Sequence, residues 1–292
     1  MSKLSIGDSL PQTSLAILDV AGPVAHLTMR RDDVFNALNP QLIDDITQLL
    51  EWTRDRSVAE QGSLTDGSAP FLRVVVLTGA GRHFCAGADI DWMRASGAQS
   101  AEENRADAAR LDRLFNSLHS HPCFTIGNVQ GVALGGGAGL VACCDHVIVE
   151  SDARIALSEG KLGILPAVIG PYVHRRIGSA QTRRLATLAK RIDAAEALRI
   201  GMVDELCGSV DDFPAATQVV IDEVLSTGPA AVAEAKRLVA VFDRWSGSDE
   251  ELREWTLDKT SEMRGSAEGQ DGLSAFLDGG KPSWYVRAAD ED

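Results

Sequence analysis

The stretch GVALGGGAG, Gly131–Gly139, decides how this chain is read, because it directly follows an apolar run, Phe124–Val129, with the pattern of a buried strand. A second stretch, AGAD at Ala86–Asp89, follows another such run, Val74–Leu77. Strand ends that open into glycine-rich loops are where α/β proteins place ligands. Each stretch puts a small residue where a backbone N–H can come unobstructed against a ligand, and two such groups converging on one oxygen form an oxyanion hole. Glu159, in LSEGKLGILP at Leu157–Pro166, is the carboxylate nearby in sequence that can move a proton. Its apolar flanks predict desolvation and a raised pKa, which acid/base work near neutral pH requires.

Outward from these segments, Leu15–Leu18 and Val24–Met29, broken by Gly22-Pro23, read as a hairpin. A helix follows, with Asn39 as N-cap, Pro40 at its first position, and an apolar stripe at Leu42, Ile46, Leu49 and Leu50. Ser57–Pro70 reads as a polar, exposed insertion. The spacing predicts a helix over Glu102–Leu118, a short one over Gly139–Cys144, a strand at Val147–Glu150, and helices at Pro171–Ile177, Ala180–Leu188 and Ala194–Arg199, the last closed by Gly201. Strands alternating with helices make this an α/β fold whose successive turns stack. From Phe213 to Phe276 strand signals nearly vanish, and three amphipathic helices are expected. The organisation read from this is a core over residues 1–212 and a helical, oligomerising region over 213–292.

The chain has 292 residues, 45% of them hydrophobic, which is enough for a substantial core. Its 28 Lys and Arg against 42 Asp and Glu give a net charge of −14, which disfavours nucleic acid and anionic membranes as partners. The five cysteines, Cys85, Cys123, Cys143, Cys144 and Cys207, are odd in number and mostly in apolar surroundings, so reduced thiols in a cytoplasmic protein are expected. The amino-terminal MSKLSIGDSLPQTS lacks a long apolar segment, and no stretch has the length of a membrane span.

Other readings of the motifs are weaker. Gly137, Gly139 and Ala142 formally satisfy G-x-G-x-x-A, but Asp145-His146 interrupts the segment before a full crossover helix can form, which argues against a dinucleotide. Asp89 is placed to cap the helix starting DIDWM. Cys143, Cys144 and His146 lack metal-ligand spacing and read as core, so no metal is expected. His83, beside the first loop, is the histidine nearest the predicted site in sequence.

Taken together, FNALN (Phe35–Asn39), HFCAGADI (His83–Ile90), QGVALGGGAGLVACCD (Gln130–Asp145), LSEGKLGILP, RIDAAEALRIGMVDE (Arg191–Glu205) and FLDGGKPSW (Phe276–Trp284) resemble the enoyl-CoA hydratase/isomerase, or crotonase, superfamily along nearly the whole chain. The resemblance implies a crotonase-like spiral of stacked ββα turns with a helical C-terminal region, assembled as trimers or hexamers. It further implies that the N–H groups of Ala88 and Gly136 hold a thioester oxygen and that Glu159 transfers the proton. Arg30, Ala37, Ala86, Asp89 and Ile90 fall where relatives line the CoA groove, and Phe276 and Lys281 match tail positions that reach a bound CoA, often from a neighbouring subunit. No separate cofactor is implied, CoA being part of the substrate.

One departure matters. Two-glutamate hydratases carry Glu at the last position of GGGxE, where this chain has Gly139. A single carboxylate leaves hydration of a 2-enoyl-CoA as the first reading and Δ3/Δ2 isomerisation as the second, with a non-catalytic acyl-CoA-binding protein as a third. The wording GADIDWM, GLVACCD and LSEGKLGILPAVIGPYV is similar to bacterial methylglutaconyl-CoA hydratase-type enzymes of leucine or isoprenoid catabolism. For the second carboxylate of such a substrate, Arg82, Arg154, His174 and Arg175 stand as undiscriminated partners.

Overall fold

The computed structural model describes residues 10–67 and 69–286, so the first nine residues of the amino-terminal stretch read above lie outside it. Eleven strands are described: β1 (Ala16–Ala21), β2 (Val24–Met29), β3 (Thr65–Asp66), β4 (Ala69–Pro70), β5 (Val74–Gly79), β6 (Phe124–Val129), β7 (Val132–Leu134), β8 (His146–Glu150), β9 (Arg154–Ala156), β10 (Ile192–Asp193) and β11 (Glu205–Cys207). The helices are α1 (Pro40–Asp55), α2 (Val58–Gln61), α3 (Ile90–Gly97), α4 (Ala101–His119), α5 (Gly136–Cys143), α6 (Gly170–Leu188), α7 (Ala194–Arg199), α8 (Phe213–Ser226), α9 (Pro229–Arg244), α10 (Asp249–Gly265) and α11 (Ala267–Leu277).

The main sheet runs β1-β2-β5-β6-β8-β11, parallel throughout except for the β1–β2 hairpin. A smaller sheet runs β10-β9-β7. The chain passes from β6 to β7, through α5, then to β8 and β9, and both strands of the second turn pair in parallel with their counterparts in the first: Val129 opposite Val149, Leu134 opposite Ala156. This is the stacked ββα spiral expected.

β5 reads VVVL without alternation because both of its faces are covered, as parallel strands require. Val75 and Leu77 enter the main core, which α1, α4, α5 and α6 close. Val74 and Val76, with Ile126 and Ile148, pack instead on Phe213, Ile221, Val224 and Leu225 of α8. Asn39 caps α1 as expected, accepting the Leu42 N–H at 2.9 Å, with Pro40 in the first turn.

Three expectations are corrected. Between Phe213 and Leu277 there are four helices rather than three, because α10 and α11 are separated by a single residue, Ser266, which ends one and caps the next. Ser57–Pro70 is not wholly an exposed loop: Ser57 and Val58 are buried, Ser57 caps α2, and Val58 N–H donates to Leu72 O at 3.0 Å. α5 spans Gly136–Cys143 rather than Gly139–Cys144, so it opens inside the glycine run. α6 carries the two predicted helices joined at a kink, where Gly178 takes φ +73°.

α9 is tied to the sheet by one ionic cluster. Lys236 Nζ donates to Asp145 Oδ2 at 2.6 Å and to Cys123 O at 3.0 Å, while Asp145 Oδ2 also accepts from the Thr125 N–H and hydroxyl. Both charged side chains are mostly buried. Removing one partner strands the other, which for hydrogen bonds to charged groups costs about 1.5–3 kcal/mol. Lys236→Met is therefore expected to lower unfolding stability by about 2 kcal/mol, read as a shifted urea midpoint at unchanged slope.

Candidate active site

The spiral places the two glycine-rich segments side by side. Cys85 pairs with Ala133 as a parallel bridge, Cys85 N–H donating to Val132 O and Leu134 N–H to Cys85 O, each at 3.0 Å. Three residues beyond that bridge on the two runs stand Ala88 and Gly136. The runs approach so closely that a Cβ on Gly87 would sit 2.7 Å from Leu134 O, and one on Gly137 would sit 2.4 Å from Cys85 O. Gly87 also takes φ +96°, so this contact requires glycine.

Ala88 is in turn bridged to Leu38: Leu38 N–H donates to Gly87 O at 2.8 Å and Asp89 N–H to Leu38 O at 2.9 Å. That pairing consumes the groups on either side of Ala88 and turns the Ala88 N–H away from Leu38. Gly136 is the first residue of α5, where amides have no partner within the helix and carry the positive end of its dipole. Among the described residues, neither N–H donates to a protein acceptor. Ala88 N lies 3.8 Å from the point where a Cβ on Gly136 would stand.

Glu159 begins a short 3-10 turn, Glu159–Leu162, just after β9. Its Oε1 lies 3.0 Å from the Cβ position of Gly135, the residue before α5, so the carboxylate reaches the glycine run. Oε2 is buried and has no hydrogen-bond partner. Burial pushes the carboxyl up from its ordinary range, opposed only by a hydrogen bond from its own backbone. A desolvated acid with one unpaired oxygen, reaching the glycine run, is a candidate to shuttle a proton.

At Gly139, where a second glutamate would stand, a Cβ would meet Ile169 Cγ2 at 2.4 Å and Phe115 Cε1 at 2.9 Å. The position is filled by the core and has no room for a side chain. Asp89 offers no substitute. Its side chain accepts from the Asp91 and Trp92 amides, capping α3, and pairs with Arg31 at 2.7 Å. Burial works against its charge, yet the Trp92 N–H and Arg31 hold the carboxyl below its usual range.

The remaining predicted residues divide. Ala37, Ala86 and Ile90 flank the Leu38–Ala88 bridge: Ala86 N–H donates to Phe35 O at 2.9 Å, Ala37 O accepts from Arg31 at 2.7 Å, and Ile90 is exposed at the start of α3. Arg30 is exposed, its backbone tied to Leu15 O. Phe276 is 84% exposed, and Lys281 Nζ lies 4.4 Å over the Tyr285 ring. Their tail is anchored at the start of β5, where the Arg73 guanidinium donates to Trp284 O at 2.7 Å. The first loop follows the far end of that six-residue strand, about 20 Å away.

Residues that the sequence did not single out complete the site. Asn36, buried at φ +54°, donates to Ala80 O and His83 O and accepts the Arg31 N–H, fixing the path from β5 to Ala88. Its signal was present in FNALN, since Asn is the residue that tolerates left-handed backbone. Phe115 and Ile169 carried no local signal, because only tertiary packing brings α4 and the start of α6 against α5. A cleft of about 1100 Å³ between α4, α6 and α9 is lined by Asn116, His119, Tyr172, Arg175 and Lys236 but not by Ala88, Gly136 or Glu159. Of the four cations considered for a second carboxylate, Arg175 alone lines that cleft, and it faces Asp243 at 3.5 Å. Burial pushes the Cys85, Cys123 and Cys144 thiols up to about 12, which leaves them without thiolate character at neutral pH.

Comparison with known proteins gives this parallel-spiral α/β fold its family. The enoyl-CoA hydratase/isomerase family matches residues 19–287, and the chain belongs to it. A short-chain-enoyl-CoA hydratase of Clostridium acetobutylicum is 31% identical over 225 residues, covering 76% of this chain and 80% of that protein. The crystal structure of an enoyl-CoA hydratase from Shewanella pealeana superposes with TM-score 0.84 at 35% identity, covering 94% of this chain and 97% of the other. Pseudomonas aeruginosa AtuE superposes equally well, TM-score 0.84 at 33% identity, over 94% of this chain and all of that one. This chain is thus an enzyme of the hydratase/isomerase type.

Glu159 also makes a thermodynamic prediction. Its folded-state pKa lies above that of the unfolded chain, so its contribution to stability is intact below the unfolded value and is lost as pH rises through the folded one. Glu159→Gln, which cannot ionise, is expected to melt at a higher temperature than the parent at pH 7.5, with the difference closing by about pH 4, near the ordinary carboxyl value. Scanning fluorimetry across pH measures it.

Proposed function

We propose that this protein hydrates a 2-enoyl-CoA thioester, with Glu159 as its sole acid/base and the Ala88 and Gly136 amides as the oxyanion hole. The observation that carries this reading is the desolvated Glu159 carboxylate, its Oε2 unpartnered and its Oε1 3.0 Å from the Cβ position of Gly135, the residue before an amide that no protein acceptor uses. In the reaction, Glu159 takes a proton from water as the water oxygen bonds to the β-carbon. The double-bond electrons move to the thioester oxygen, and Glu159 returns the proton to the α-carbon as the enolate collapses. The hole acts on the charge that develops on that oxygen, where losing a single donor typically costs about 3 kcal/mol. No separate cofactor takes part.

The substrate proposed is a branched or glutaconyl-type acyl-CoA, in line with the sequence wording, placing the enzyme in leucine or isoprenoid catabolism in the cytoplasm. Arg30, Ala37, Ala86, Asp89 and Ile90 form the proposed CoA groove, Asp89 by capping α3. Exposed Phe276 and Lys281 would complete the groove of a neighbouring subunit, with the helices from Phe213 onward serving as contacts in a trimer or hexamer.

The filled space at Gly139 favours a second reading, Δ3/Δ2 isomerisation, in which Glu159 carries a proton between the α- and γ-carbons without water. It also argues against decay of a former hydratase site, since the wall at Gly139 is packed and Glu159 remains poised. Reaction of a crotonyl-CoA and methylglutaconyl-CoA panel in heavy-oxygen water separates the readings: hydration labels the product, isomerisation does not. Glu159→Gln is expected to lower kcat by about 10²–10⁴, the usual worth of a positioned acid/base. Full turnover in that variant would remove Glu159 from the chemistry, and thioester binding without turnover across the panel would favour the binding-only role.

A further inference from the structure

Phe276 and Leu277 are 84% and 81% exposed, yet the tip of chain that carries them is anchored on both sides. The tip closes α11: Gly279 takes φ +67°, and the Gly280 N–H donates to Ala275 O at 2.8 Å. Before it, Glu268 accepts the Ala230 and Ala231 amides at 2.9 Å each, which ties the first turn of α11 to the start of α9. Beyond it, the chain folds back along α11. The Ser283 N–H donates to Asp271 Oδ2 at 2.8 Å, and the Trp284 ring lies so near Gly272 that a Cβ there would sit 2.7 Å from it. A braced tip bearing two exposed apolar side chains and the exposed Lys281 is shaped for contact with something outside the core.

The returning segment ends on a buried cation. The Arg73 guanidinium donates to Trp284 O at 2.7 Å, to Thr227 O at 2.6 Å and to Val224 O at 3.1 Å. The last two carbonyls belong to the C-terminal end of α8, where the helix dipole favours a positive charge. Burial lowers the Arg73 pKa to about 10, which leaves it charged at neutral pH. Its Nε is buried without a partner, and an apolar side chain of similar size would avoid the desolvation altogether. What the charge adds is a junction of three segments. The Arg73 backbone belongs to the sheet, its N–H donating to Pro23 O and its carbonyl accepting from Phe124, while its side chain holds α8 and the tail.

Resting on the reading above that Phe276 and Lys281 contact CoA, we propose that Arg73 is a positioning residue for substrate binding: by holding Trp284 against the end of α8 it fixes the direction in which the tip presents Phe276 and Lys281, and so sets the affinity for the CoA portion of the thioester without touching it. The junction lies at the start of β5, the end opposite the oxyanion loop, so it acts on binding and leaves the reacting groups as they are. Contacts ordered before the ligand arrives need not be ordered by it, and the affinity saved is lost when the junction is cut.

The test measures the calorimetric Kd for butanoyl-CoA and amide hydrogen exchange by mass spectrometry in the parent, Arg73→Met, Arg73→Lys and Trp284→Ala, with thermal melts to establish that each variant is folded. In Arg73→Met the Kd is expected to rise about 10-fold, the worth of ordering two side chains in advance. Exchange is expected to quicken over residues 267–285 and to stay unchanged over 85–88 and 135–139. Trp284→Ala, which keeps the cation but takes the ring off Gly272, is expected to do the same, and Arg73→Lys, with one ammonium in place of a forked guanidinium, to fall between. With crotonyl-CoA as substrate the change is expected in KM and not in kcat, a split that general loosening of the core would not give. An unchanged Kd in folded Arg73→Met whose tail exchanges faster, or faster exchange at the two glycine-rich runs, overturns the proposal. Phe276→Ser combined with Lys281→Ser separates that result from failure of the underlying reading: a raised Kd there keeps the tail as a CoA contact and removes only Arg73, whereas an unchanged Kd there removes the tail contact itself.

Discussion

The molecule depends on two backbone runs being held in parallel register at van der Waals distance, Cys85–Asp89 on one turn of the spiral and Ala133–Gly137 on the next. The Cys85–Ala133 bridge sets that register, and the contacts at Gly87 and Gly137 require it to be made by residues without side chains. Everything chemical follows from it. With the register fixed, the Leu38 pairing uses the groups beside Ala88 and leaves its N–H over, while α5 begins at Gly136 with an amide it cannot satisfy. Two unsatisfied donors thus arise as a by-product of how the turns stack, and the surrounding core holds both runs in place. In the function proposed for them, donors fixed in this way are effective because no reorganisation is needed as charge develops.

What was legible in the sequence is what local chemistry dictates. The buried strands Val74–Gly79 and Phe124–Val129 could be read because both faces are covered and the apolar run is unbroken. Asn39-Pro40 and Asp89 announced their caps, and Glu159 announced its desolvation through its apolar flanks. The start of α5 was misplaced because glycine has low helix propensity, and what recruits Gly136–Gly139 into a helix is tertiary contact with Cys85, Phe115 and Ile169. The division of the C-terminal region into four helices was hidden for a related reason: a one-residue break at Ser266 leaves the amphipathic pattern nearly continuous. Phe115 and Ile169 lie 24 and 30 residues from Gly139 in sequence, and no periodicity connects them.

Gly139 shows how the same residue reads differently at the two levels. In sequence it is a missing acid; in the structure it is a contact. With Ile169 Cγ2 at 2.4 Å from its Cβ position, even alanine would have to displace the wall, and a glutamate would have to displace both Ile169 and Phe115, the second backed by Tyr172. Restoring the two-acid arrangement therefore requires remodelling three elements, α4, α5 and the start of α6, and a single substitution leaves two of the three in place. At this position the core has no room for a second acid.

That arrangement places an energetic burden on Glu159. A carboxylate with one oxygen buried and unpaired is costly in its charged form, and the cost is what raises its pKa. Were a neighbouring cation or a hydroxyl to satisfy Oε2, the protein would be more stable, but the acid would hold its charge more readily and lose the raised pKa on which the proposed proton transfer relies. Asp89 illustrates the opposite choice, since Arg31 and two amides satisfy it, hold its carboxyl low and confine it to shaping α3. Two carboxylates in the same region of the molecule are thus separated by environment alone, one satisfied and held low, the other left unsatisfied and pushed up, as the proposed proton transfer needs.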